Sequence, residues 1–144
     1  MGMKVAVIGS RTFKDRDLMF TTLDQIAGIS TVVSGGAPGA DRLAEDYAKT
    51  RKLNLTVHLA EWNNIEHPEA TVRVKFGRKY DANAGYRRNK TIVNESDLVV
   101  AFWDGKSNGT NHAMKYARKM NKEVKVVLFE PELTVKKDNF KIGI

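Results

Sequence analysis

Three times along this chain a short, mostly aliphatic run stops at a glycine-bearing loop and a helical pattern follows with little gap. That rhythm limits the possible folds more than any other feature. Lys4 to Ile8 is apolar without alternation and ends at Gly9-Ser10-Arg11, as expected for a strand covered on both faces. From Asp15 onward Met19, Leu23 and Ile26 recur at helical spacing, with Asp15 and Asp17 at the end where acidic side chains favour the helix dipole and Gly28 just beyond. Thr31 to Ser34 is a second strand, broken by Gly35-Gly36-Ala37-Pro38-Gly39; Leu43, Ala44, Tyr47 and Ala48 then mark the inner stripe of a second helix. Leu55 to Leu59 reads as a third strand, Ile92-Val93 as the centre of a brief helix before Asp97, and Leu98 to Trp103 as a fourth strand. Asp104 to Gly109 forms the third loop and Thr110 stands as an N-cap. Ala113, Met114, Ala117 and Met120 give the next helix its apolar stripe, and Val124 to Phe129 is a fifth strand.

Strands alternating with helices imply an α/β class protein, a Rossmann-like three-layer sandwich with a mainly parallel sheet of five or slightly more strands. With 144 residues, 42% of them hydrophobic, the chain can bury roughly two-thirds of its unfolded surface, and a single domain over residues 1–144 is expected. Glu61 to Arg87 is long for a structureless connection, so it is expected to be functional or to carry small elements of its own. The tail after Pro131 is expected to be an extension.

Composition removes several classes. Without cysteine there are neither disulfides nor thiolate zinc sites, and His58, His67 and His112 lack ligand spacing, so no metal is expected. The apolar runs have strand length, and no secretory pattern opens the chain, so neither a membrane span nor export is expected and a cytoplasmic location is. The formal charge of +7 is concentrated in Thr71 to Lys90, where Arg73, Lys75, Arg78, Lys79, Arg87, Arg88 and Lys90 face one carboxylate, Asp81. Such a run is either a solvated face or an attractor for phosphate or nucleic acid.

Parallel strands would bring the three glycine loops to one edge of the sheet, where ligands of such folds bind. Glycine lets backbone N–H groups approach an anion, and the helix that follows adds its positive dipole end. The loops match neither G-x-G-x-x-G nor a Walker pattern, which disfavours ordinary NAD dehydrogenases and ATPases.

Three motifs carry a resemblance: Gly9-Ser10-Arg11 with Phe13; Ser34-Gly35-Gly36-Ala37 with Gly39-Ala40-Asp41; and Arg88-Asn89 leading through Ser96 to Phe102 and on to Ser107, Gly109 and Thr110. In order and spacing they resemble the SLOG superfamily, the fold shared by the Smf/DprA and LOG proteins, and within it the YspA-like branch related to YpsA. The resemblance covers about Lys4 to Phe129. It implies a domain that binds nucleotides or nucleotide-derived molecules, some relatives being phosphoribohydrolases, others sensors and others DNA-handling proteins. It also implies paired subunits, hence a homo-oligomer. In the LOG hydrolases a glutamate three residues after the Gly-Thr is essential; here that position is Ala113, which counts against LOG-type catalysis, whereas Arg88 stands where the LOG pattern has its arginine.

The leading expectation is a binding or sensing domain for a nucleotide derivative, with no cofactor required. Its contacts are sought at Gly9, Ser10, Arg11, Ser34, Gly35, Gly36, Ala37, Gly39, Asp41, Arg88, Asn89, Trp103, Asp104, Ser107, Gly109 and Thr110. Trp62 and Trp103 are candidates for stacking on a base, Trp103 the better one. The second expectation is an N-glycosidic or phosphoester hydrolase using Asp41 or Asp104. The third is a DNA- or RNA-binding protein using Arg73 to Lys90, with Tyr80 and Tyr86 stacking on bases.

Overall fold

The computed structural model describes residues 2–131, and the extension expected after Pro131 lies outside them. Strand β1 (Met3–Gly9) pairs in parallel with β2 (Ile29–Ser34) on one side and β6 (Leu98–Trp103) on the other. Strands β3 (Asn54–Val57) and β7 (Glu123–Leu128) continue the sheet outward, giving five parallel strands in the order β3-β2-β1-β6-β7. The direction of strand addition therefore reverses between β1 and β6.

The unalternating apolar runs have the cause expected of them. In β1, Val5 and Val7 face one core while Ala6 and Ile8 face the other, and in β6 Leu98, Val100 and Phe102 oppose Val99 and Ala101. Helices α1 (Arg16–Asp24) and α2 (Ala40–Thr50) close the first core through Met19, Phe20, Leu23, Ala44 and Tyr47; α3 (Ala84–Glu95) and α4 (Asn108–Lys119) close the second through Ile92, Val93, Ala113, Met114 and Ala117. Phe13, buried in the loop after β1, seals the carboxyl end of the first core against Phe102 and Phe129, with ring centroids 4.8 and 4.9 Å away.

Two local readings are corrected. The brief helix around Ile92 is a 12-residue helix; its buried residues are only Ala84, Ile92 and Val93, too few to leave a periodic stripe in the sequence. The N-cap of α4 is Ser107 rather than Thr110, which lies buried inside the first turn. The segment Glu61 to Arg87 holds small elements, as expected: strands β4 (Val72–Lys75) and β5 (Arg78–Asp81) form an antiparallel hairpin. Among the described residues no helix is long and apolar enough to cross a membrane.

Candidate functional site

A cavity of about 470 Å³ opens at the carboxyl ends of β1, β2 and β6, within the size range of small-ligand sites. The β1 loop contributes Gly9, Ser10 and Arg11, the β2 loop contributes Ala37, and the start of α2 contributes Asp41. Arg88 and Asn89 project from α3, and Ser107, Gly109 and Thr110 come from the start of α4. Helices α2, α3 and α4 all begin at this cavity, and none has a side chain capping its first turn, so their N-terminal ends add positive potential there.

The remaining sequence candidates shape the loops rather than line the cavity. Ser34 donates through Oγ to the carbonyl of Asp41 at 3.2 Å and accepts from the N–H of Gly36. Asp104 is engaged locally: its Oδ1 accepts from the N–H groups of Lys106 and Ser107, and its Oδ2 from the Ser107 hydroxyl. Burial opposes its ionisation, but these donors win and hold its pKa below the ordinary carboxylate value. Trp103 donates from its indole N–H to the carbonyl of Ser107 and packs on the second core. It is Trp62 that lines the cavity, with Tyr86. No periodicity marks Trp62, because the Asp81 N–H donating to the Trp62 carbonyl, a non-local bond, fixes its place.

Arg88 and Asp41 close over Gly35. A methyl group there would come within 2.6 Å of Arg88 Nη1 and 2.9 Å of Asp41 Oδ2. Arg88 Nη1 donates to the carbonyl of Gly35 at 2.6 Å and Nε to Asn89 Oδ1 at 3.0 Å, and among the described residues it joins no ion pair. Burial lowers its pKa and Asp41 supports its charge. Burial likewise pushes the Asp41 carboxyl up to about 6, against the Ala37 N–H that donates to its Oδ2 at 3.1 Å and against the field of Arg88. The result is a half-buried guanidinium with unused donors beside a carboxyl that is easily protonated. We expect Gly35→Ala, which displaces Arg88, to weaken any anion bound here by about tenfold, measured by calorimetry.

Asp81, in sequence only the lone anion of a basic run, is the buried hub of the long segment. Its Oδ1 accepts from the N–H groups of Thr71 and Asn83, and its carboxylate pairs with Arg87. Burial opposes the charge, but Arg87 and these N–H groups keep its pKa low. A buried acceptor of this kind leaves no spacing signature.

Five parallel strands, a reversal of strand order over the cavity and the three glycine loops define a Rossmann-like domain of the SLOG type. The model of the YspA, cpYpsA-related SLOG family matches residues 3–65. The Gene 61 protein of Mycobacterium phage D29 is 33% identical over 126 residues, covering 81% of this chain and 89% of the relative. The chain belongs to this SLOG family. In fold it is similar to DNA processing protein A from Helicobacter pylori, a protein with a described single-stranded DNA binding mode, at TM-score 0.64 and 22% identity over 98% of this chain and 73% of that one. It is also similar to DNA processing protein A from Streptococcus pneumoniae, at TM-score 0.65 and 17% identity over 99% of this chain and 57% of the other.

Proposed function

We propose that the chain binds a nucleotide or nucleotide-derived small molecule, with its phosphate on Arg88 and the helix ends and its base beside Trp62 and Tyr86. The observation that carries this reading is Arg88: a guanidinium lining the cavity, partly desolvated, with no ion-pair partner among the described residues. A partly buried cation that makes no direct ion pair, even with the nearby Asp41, is costly, and a phosphate offers the bidentate partner its geometry suits. The cavity volume and the aromatic wall fit a nucleoside attached to that phosphate.

Calorimetry with adenosine mono- and diphosphate, ADP-ribose and inorganic phosphate tests the reading, with Arg88→Lys alongside. Lysine keeps the charge and loses the planar fork, so we expect affinity to fall on the order of thirtyfold, about 2 kcal/mol, with little change in Tm without ligand. No binding by the wild type to any of these would overturn the reading. Free base appearing in the mixtures would give Asp41 a chemical role, since Ala113 leaves no carboxylate at its own position on the cavity wall.

A second reading is a single-stranded nucleic acid as the source of the nucleotide. The fold likeness to DNA processing protein A and the basic segment beside the cavity support it. Its signature is an affinity that falls steeply with salt.

A further inference from the structure

The β4–β5 hairpin breaks two local rules. In its register Lys75 lies directly opposite Arg78, and Arg73 opposite Tyr80, so three cations and a tyrosine share one face. Like charges directly across a strand pair are destabilising, yet none of Arg73, Lys75, Arg78 and Lys79 joins an ion pair among the described residues. The turn has φ of 50° at Phe76 and 74° at Gly77, the left-handed pair of a type I′ hairpin, where asparagine or aspartate ordinarily precedes the glycine. Phenylalanine there is strained, and no burial offsets this, because Phe76 is 93% exposed. Among the described residues the only compensation is Lys75 Nζ, 5.8 Å from the Phe76 ring centroid, a weak contact at an exposed site. Local violations left so nearly uncompensated are the mark of a surface shaped for a partner.

The hairpin stands at the rim of the cavity. Asp81 ends β5, and its N–H donates to the carbonyl of Trp62, which lines the cavity with Tyr86. Phe76 and Tyr80 on the hairpin thus stand among Lys75, Arg78 and Arg73, and Trp62 and Tyr86 stand on the adjoining cavity wall; Arg87 is already paired with Asp81. The partner must neutralise closely spaced cations and offer planar groups to exposed rings. We propose that this hairpin is the docking ribbon for a single-stranded nucleic acid, its phosphates on Arg73, Lys75 and Arg78 and its unstacked bases on Phe76 and Tyr80. A duplex keeps its bases stacked and withholds those planar faces. That the strand continues with one nucleotide in the cavity rests on the reading proposed above; docking on the hairpin does not.

The test compares the wild type with Lys75→Gln/Arg78→Gln, using an oligothymidylate of about 12 nucleotides, thymidine 5′-monophosphate, the matching duplex and phosphatidylserine vesicles. Removing the opposed cations relieves repulsion, so the double variant should keep or slightly raise its Tm. We expect its oligonucleotide affinity at low salt to fall about tenfold, and the slope of log K against log salt to flatten by about 1.4 as two phosphate contacts are lost. Mononucleotide binding should not change. Oligonucleotide binding that is absent or insensitive to the double substitution would overturn the hairpin proposal while leaving mononucleotide binding intact. Hairpin-dependent oligonucleotide binding without mononucleotide binding would sustain the hairpin and overturn the cavity reading. Preference for the duplex or for the vesicles would overturn the proposal in favour of that surface.

Discussion

Gly39→Ala is expected to destabilise the protein by about 3 kcal/mol, a fall in Tm of roughly 10 °C for a chain of this length. Gly39 is the N-cap of α2, with φ 83° and ψ −125°, a conformation that side-chain-bearing residues rarely adopt. Space is the second constraint: a Cβ there would lie 2.4 Å from the Arg11 carbonyl oxygen and 2.5 Å from that of Ser10. Those atoms are backbone and have no rotamer by which to move aside. The same approach lets the Ala40 N–H donate to the Ser10 carbonyl at 3.2 Å, locking the β1 loop to the start of α2. Gly28 separates the two effects. Its φ is also positive, at 82°, but an added Cβ meets nothing within 4 Å, so Gly28→Ala should cost only about 1 kcal/mol. Paired urea titrations read both values, and equal losses would show that the approach to Arg11 is not tight.

That contact also shows why the sequence disclosed the frame of the site more readily than its contents. A strand that ends at a glycine before a helix can be read locally, because the turn demands the residue where it stands. Hence the five strands and the three loops at their carboxyl ends were legible, and so were Arg11, Asp41 and Arg88 as groups to watch. What decides between Trp62 and Trp103 is non-local: Trp103 follows β6 but turns to the Ser107 carbonyl and the second core, while Trp62 reaches the cavity because Asp81 binds its carbonyl. The hairpin was hidden for another reason. Its alternation of Val72, Arg73, Val74 and Lys75 is strand-like, but both faces are exposed, so no buried stripe separated it from the charges around it. The length of α3 was obscured because most of its residues face solvent or the cavity rather than the core.

Asp41 is costly to the fold at neutral pH, and Asp41→Asn should reveal it. Asp41 is 8% exposed, and its pKa rises from 3.8 to about 6 on folding. A carboxyl whose pKa is raised in the native state binds more protons there than in the unfolded chain, so stability falls as pH rises between these two values and the full cost stands above the upper one. Asparagine keeps an oxygen for the Ala37 N–H and carries no charge. The variant should therefore match the wild type near pH 4 and exceed its stability at pH 7.5 by up to about 3 kcal/mol, the equivalent of the shift. Taking the difference between two proteins at each pH removes the titration of Asp24, Asp81 and Asp104, which is common to both. Parallel stability curves in urea would mean that Asp41 is as well hydrated as a surface carboxylate. A buried carboxyl with a raised pKa on a cavity wall is a candidate ligand-responsive group, and an anionic phosphate placed between Arg88 and Asp41 would raise the carboxyl further. Binding should then take up a proton, so nucleotide affinity should weaken as pH rises through 6 in the wild type and less so in Asp41→Asn. Calorimetry in buffers of different ionisation enthalpy counts that proton directly.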